Sequence, residues 1–260
     1  MRDAWKGTLA LGLVSIPVRL VNATRDLDIH FREIHATDGS RVRHAQVCEK
    51  EDHEVPDDEV ARALEVDGKE VIIEDEEIAE LRPKQTRTID IDGFTRPELV
   101  DPVSFRTSYR VAPGDESEGT RRAYRLLLKT VSSSGLVGTG TFVMRNQEHL
   151  ALVRATGEIL TLTTLFHADE VRDPGEISEL PRTRKNEVDA MIAIVQELST
   201  DWDPGSYDDC YRERLEKVIA RKRRGTKIKP PEPAVEPEPE TDLMAALEKT
   251  LKDMKIGVPG

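Results

Sequence analysis

Between Thr120 and Thr164 a helix-patterned run is followed by three β-rich runs, and this order constrains the fold more than any other feature of the chain. Thr120 is a helix-capping residue type, and the run behind it sets Arg121, Arg122, Arg125 and Lys129 on a wet side. Ala123, Leu126, Leu127 and Thr130 are expected to turn inward, and Ser132 to Gly135 ends the helix. Leu136–Met144, Leu150–Arg154 and Ile159–Leu165 then read as strands, the last two joined at the Thr156-Gly157 turn.

The same two-residue period recurs upstream. Leu9, Leu11 and Leu13, then Ile16, Val18 and Leu20, predict strands over Trp5–Gly12 and Leu13–Val21, with Pro17 at an edge or a bulge. Leu27, Ile29 and Phe31 continue the alternation and place Asp28, His30 and Arg32 on the opposite face. His30 and His35 stand at no recognisable ligand spacing with a carboxylate or cysteine, so they read as strand-face residues. An extended segment then carries Arg41 and Arg43 on one side. Asp67-Gly68 predicts a hairpin turn before Glu70–Ile73, and Asp75–Leu81 predicts a short helix stopped before Pro83. Lys84 and Arg87 restore positive charge; Thr86–Ile91 and Val103–Val111 alternate as strands. Many short strands with few helices predict a mainly β chain with added helices (α+β), built as a barrel or sandwich.

The C-terminal third changes character. Val188, Met191, Ile192, Val195 and Leu198 form one helical stripe; Tyr207, Tyr211, Leu215, Val218 and Ile219 form another, which ends at Arg221–Arg224 with Gly225 as its stop. That basic run is a candidate for phosphate contact, and it also complements the negative end of its own helix, the commoner reason for such a run. Residues 226–241 are rich in Pro and Glu and read as a stiffened, solvated linker. Beyond it Leu243, Met244, Leu247, Leu251 and Met254 share one face of a last amphipathic segment. A stripe held off a domain in this way seeks a groove, on a partner or on its own domain. The resulting divisions are a core over 1–180, then a helical arm over 181–225, the linker over 226–241, and the segment 242–260.

Charge is distributed unevenly. The chain carries a formal −12, yet residues 45–120 hold 22 acidic and 9 basic side chains, a balance of −13 that leaves +1 for the rest. From Arg121 to Glu158 six Lys or Arg face two Glu. A basic strip beside an acidic flank suits a polyanion held in one place and repelled elsewhere. The 4% aromatic content argues against reading single-stranded bases by stacking. With no apolar run of membrane-spanning length and no signal-like stretch, the chain is expected to stay in the cytoplasm. Cys48 and Cys210 stand too far apart in sequence to suggest a disulfide framework.

Catalytic patterns are missing from the sequence. Gly135–Gly140 lacks the Lys of a phosphate-cradling loop, and no Ser sits in a nucleophile-elbow motif. Asp90, Asp92, Glu98 and Asp101 suggest a metal-dependent nuclease at most, and alternation around Ile91 explains the first two as a solvent face. No enzyme, resident metal or cofactor is expected.

The opening MRDAWKGTLALGLVSIPVRLVNATRDLDIHFREIH, then VRHAQVCE, DIDGF, DPVSF, AYRLLLKT, FVMRNQEHLALVR and ADEVRDP, in this order, resembles the bacterial Ku family. DPGSYDDCYRERLEKVI resembles that family's C-terminal helical arm, and DLMAALEKTL the segment near its end, so the similarity runs to about Asp253. The resemblance implies a homodimeric β-barrel protein whose two bridge segments, projecting at about 36–85 of this chain, close a ring around duplex DNA. It implies threading onto double-strand breaks at the nucleoid, and recruitment of the ATP-dependent end-joining ligase (ligase D type) in non-homologous end joining. It implies neither catalysis nor a nucleotide. Arg41, Arg43, Lys84, Arg87, Arg121, Arg122, Arg125 and Arg145 are then the candidate DNA contacts, and Leu243, Met244, Leu247 and Leu251 the candidate ligase anchor. Two departures are visible. Cys48 is followed by Glu49-Lys50-Glu51, so the second thiol of the family's C-x-x-C is missing. Ala45 and Gln46 stand where basic residues are common, which predicts weaker DNA affinity at a given salt than in a more basic relative. A β-barrel scaffold that binds only proteins is the alternative reading.

Overall fold

The computed structural model describes residues 3–81, 86–175, 180–225, 246–247 and 249–250. The chain divides into two compact units, Met1–Asp173 and Pro174–Gly260. In the first unit β1 (Asp3–Leu11) and β2 (Val14–Asn22) form a hairpin, with Gly12 in the left-handed region at φ 56°. A second hairpin, β3 (Arg62–Val66) and β4 (Lys69–Ile73), turns at Asp67-Gly68 and precedes helix α1 (Asp75–Glu80). Then follow β5 (Thr88–Thr95), β6 (Phe105–Pro113), helix α2 (Glu118–Ser134), β7 (Val137–Met144), β8 (Gln147–Thr156) and β9 (Ile159–Leu165).

Seven of these strands close a barrel in the order β1-β2-β6-β9-β8-β7-β5, and β3–β4 forms a separate two-stranded sheet. Every neighbour in the barrel is antiparallel except β1 and β5, which run parallel with Thr8 opposite Thr88. Closure demands close approach on both sides of β5. A Cβ on Gly7 of β1 would collide with the Arg87 carbonyl, and one on Gly140 of β7 with the Asp90 carbonyl. Pro17 falls one residue before the β2–β6 register begins at Val18, where its missing N–H costs no ladder bond to β6.

The interior is filled by alternate residues of the barrel strands, among them Leu9, Val18, Leu20, Ile89, Val111, Phe142, Leu160 and Leu162. Helix α2 leaves β6 and rejoins β7 at one end of the barrel, and its Tyr124, Leu127 and Val131 join the same core. This differs from the expected helix face: Leu126 is 69% exposed and Thr130 is exposed too. The cap also shifts. Ser117, rather than Thr120, accepts the bond from the Thr120 N–H at 3.3 Å, while the Thr120 hydroxyl turns to Asp115. Tyr124 sets the rotation of the helix. Its phenol donates to the Val111 carbonyl at 2.7 Å and accepts from the Leu160 N–H at 3.0 Å. Val111 and Leu160 are partners in the β6–β9 register, so one hydroxyl ties the helix to two strands. Burial pushes the phenol's pKa upward, which keeps its proton for the donor role.

A further difference concerns the projecting segment. Leu27, Ile29 and Phe31 do not form a strand, and from residue 24 to 87 no described residue is buried. Alternation alone makes no strand where no neighbouring edge is available.

The second unit contains α3 (Lys185–Glu197) and α4 (Cys210–Arg223), with Gly225 at φ 73° ending the latter. Tyr207 lies outside α4 and stacks on Trp202 at 5.3 Å between ring centroids, and both Tyr207 and Tyr211 are exposed rather than turned to a core.

Tyr124→Phe preserves the ring and removes the bridge, leaving the buried Leu160 N–H and Val111 carbonyl without their phenol partner. The expected loss is about 1–3 kcal/mol of stability in a denaturant melt. An unchanged melt would show that the bridge contributes nothing.

Candidate nucleic-acid interface

The strand registers place several basic side chains around one end of the barrel. β2 ends beside Asp3 and β5 begins beside Thr8 of β1, so the two roots of the 24–87 excursion leave the barrel on either side of that strand. The β7–β8 hairpin turns at the same end through Arg145 and Asn146, at φ 54° and 64°. Arg87, at the returning root, then shares a recess of about 310 Å³ with Lys6, Arg145, Trp5 and Asn146. The indole of Trp5 fixes one wall by donating to the Val143 carbonyl at 3.0 Å. Lys6 is held by Asp3 at 3.0 Å, and the Arg19 and Lys6 hydrogen bonds keep the Asp3 carboxyl below its ordinary pKa. Next to this group stands His149. Burial lowers its pKa first, its bond to the Met144 carbonyl opposes that, and the charges of Arg106 and Arg145 lower it further. It is therefore neutral at pH 7 and adds no charge to the surface.

The structure thus brings Arg87 and Arg145 together and gathers Arg121, Arg122 and Arg125 on α2, whose flanking strand ends lie at the opposite end of the barrel. All three α2 arginines are exposed, and Arg121 sits 3.5 Å from Glu116. Arg41 and Arg43 belong to neither group. They lie on the excursion, Arg41 in an isolated bridge with Ile34 and Arg43 at 3.9 Å from Glu54. Such an exposed pair contributes little and releases Arg43 readily to another anion. Lys84 lies outside the described residues, as do Leu243, Met244 and Leu251 of the expected anchor; Leu247 is described and is buried against Ala190 and Ile194 of α3.

Sequence reasoning passed over Lys6, Arg106, Arg110 and Arg154. On the outer face, Arg110, Thr161 and Arg154 form one row across β6, β9 and β8, with the Arg110 guanidinium donating to the Thr161 hydroxyl at 3.1 Å. Arg106 lies over the Phe166 ring at 5.3 Å and Arg154 over Phe105 at 5.6 Å. Such stacking holds the long side chains in place on the surface. Alternation within Phe105–Val111 already separates Arg106 and Arg110 from the core positions Tyr109 and Val111, a signal masked by the acidic average of residues 45–120.

Asp90 and Asp92 are exposed on β5, and Asp101 is engaged as a turn cap for the Val103 N–H. Cys48 closes a tight turn in which its N–H donates to the His53 carbonyl at 2.9 Å. Among the described residues no group of three or more His, Cys, Asp or Glu gathers in a metal-binding arrangement, and no helix is long and apolar enough to cross a membrane.

A family model described as the Ku70/Ku80 β-barrel domain matches residues 10–190. The chain belongs to the Ku family. Its closed seven-stranded barrel with attached helices agrees with the architecture the sequence led us to expect. It is 37% identical to Non-homologous end joining protein Ku 1 of Saccharopolyspora erythraea, the match covering 100% of this chain and 81% of that one. It is 35% identical to Non-homologous end joining protein Ku of Solibacter usitatus, over 95% of this chain and 92% of the relative. The like-named protein of Mycobacterium tuberculosis is 34% identical over 97% of this chain and 95% of its own.

Within this Ku barrel the two basic groups are separable by experiment. Replacing Arg87 and Arg145 together by Gln is expected to weaken duplex binding and to lower the salt slope by about one for each phosphate no longer neutralised. Charge reversal of Arg121 and Arg122, on the wet face of α2, is expected to weaken binding less and to leave the melting transition intact. Unchanged affinity in the first pair would remove the recess from the interface; unchanged affinity in the second would remove α2.

Proposed function

We propose that this protein binds the ends of double-stranded DNA, without sequence preference, as a ring-shaped homodimer. In this reading it works in the cytoplasm at the nucleoid, and it recruits an ATP-dependent end-joining ligase to double-strand breaks for non-homologous end joining. It acts by holding ends and partners and performs no chemistry of its own. The names of the relatives support the pathway.

The observation that carries the ring is the excursion. Residues 24–87 leave the barrel beside β1 and return beside β1, and no described residue among them is buried. Phe31, Ile34, Leu64 and Ile72 stand 58–71% exposed along it. A segment this apolar and this bare needs a partner surface to hold its shape. A second copy offers the same segment, and two excursions rooted beside basic recesses enclose a space lined at its base by positive charge. Arg41, Arg43, Lys84, Arg87 and Arg145 are the contacts assigned to that lumen, joined by Lys6 and Arg106, with Arg121, Arg122 and Arg125 as an outer track. Contacts of this kind go to phosphates and position the duplex without reading bases.

Two unrelated duplexes of equal length, titrated over a series of salt concentrations, test the reading. The log–log slope is expected near −0.9 per neutralised phosphate and to be the same for both. A flat slope, or strong preference for one sequence, would refute it.

Ligase recruitment is assigned to the C-terminal stripe of Leu243, Met244, Leu247 and Leu251. A chain ending at Lys229 is expected to load on DNA ends and to dimerise, and to lose much of its stimulation of the cognate ligase. Full stimulation by the shortened chain would exclude the stripe as the recruiting element.

A further inference from the structure

Helix α3 carries more apolar surface than the described part of its own unit covers. Ala190 and Ile194 are buried, 3% and 7% exposed, and Leu247 packs on them at 5% exposure. Around this contact Val188, Met191, Ile192 and Val195 remain 41–57% exposed. With Leu247 they line a groove of about 340 Å³. The residues that bring Leu247 there are helical, and the Thr250 hydroxyl donates to the Ala246 carbonyl at 2.9 Å. The seated leucine is one member of the stripe Leu243, Met244, Leu247, Leu251 and Met254, whose spacing of three and four residues gives a single apolar face.

We propose that the apolar face of α3 is the docking groove for this chain's own segment 242–254, a latch that shelters the stripe until the ligase displaces it. The proposal rests on the reading that the same stripe recruits the ligase, and it adds that recruitment competes with docking in cis. Three observations select this occupant over others. Leu247 already packs on Ala190 and Ile194 and forms part of the groove's wall. The remaining apolar positions of α3 and of the stripe are matched in character, and Val188, Met191, Ile192 and Val195 of α3 stay exposed among the described residues. The stretch between Gly225 and Ala246 is 20 residues long, short enough to hold the segment near the groove at an effective concentration on the order of millimolar.

The consequence is an affinity threshold. A helix this short is marginal alone and gains its order from the groove. A ligase that takes the stripe must outcompete a tethered rival, so loose encounters fail and a ligase concentrated at a DNA end succeeds.

Hydrogen exchange on the full-length protein tests the latch. Leu247→Asp is expected to speed exchange of the α3 amides by about tenfold or more, because the apolar burial there is removed, while strands β6 and β9 keep their protection. A synthetic peptide of residues 241–256, added in trans, is expected to restore protection to that variant; the same peptide with Leu247→Asp is not. Unchanged α3 exchange in the variant, or no rescue by the peptide, would overturn the latch. Protection in the unaltered chain that falls on dilution would assign the groove to a second copy and overturn it equally. Ile194→Glu, which spoils the groove and leaves the stripe intact, is expected to raise ligase stimulation, whereas Leu247→Asp lowers it. If α3 exchange responds as expected while ligation ignores both variants, the latch stands and the recruiting role of the stripe fails.

Discussion

The parallel contact between β1 and β5 is the constraint on which the rest of the structure depends. Without it the sheet keeps two open edges, each exposing unpaired N–H and C=O groups. With it the seven strands close, and the excursion between β2 and β5 must begin and end on either side of β1. β2 and β5 lie two strand spacings apart, about 10 Å, with β1 between them. The chain between β2 and β5 thereby leaves the barrel on one side of β1 and rejoins it on the other. Gly7 and Gly140 are the local condition for this, since any larger residue at either position meets a carbonyl of the β5 side. Backbone spacing at three strands therefore determines where the projecting segment stands.

Closure also explains why an acidic protein presents a basic site. The returning root of the excursion, the β7–β8 turn and β1 meet in one recess, and each supplies a cation: Arg87, Arg145 and Lys6. There the sequence separation of the three residues is irrelevant, because the register alone assembles them. The opposite end is closed by α2, held through the Tyr124 phenol, with its own arginines outside. Acidic residues dominate the excursion, and in the proposed DNA-binding role their repulsion would steer a polyanion toward the basic roots.

Much of this was legible in the sequence. Ile159–Leu165 is a strand with the limits its alternation indicated, Asp67-Gly68 does turn a hairpin, and the α3 stripe does mark a helix. These features depend on local periodicity and on turn chemistry. The rotation of α2 was not legible, because it is decided by a hydroxyl that finds partners on two strands distant in sequence. Leu27–Phe31 has a strand's pattern and no strand's neighbour. Of the site, the candidate arginines were visible as cations, but which of them meet was a matter of register. Lys6 and Arg106 went unnoticed for that reason, one isolated near the N-terminus and the other hidden in an acidic average.

The central claim is that the excursion closes a ring through which DNA passes only from a free end. The most direct measurement compares binding to a linear duplex with binding to a covalently closed circle of the same sequence and length, at one salt concentration. The account predicts that the linear form is bound and retained, and that the closed circle is bound no better than non-specific competitor. Equal binding to both forms would contradict it, because a basic surface without a ring makes no distinction between them.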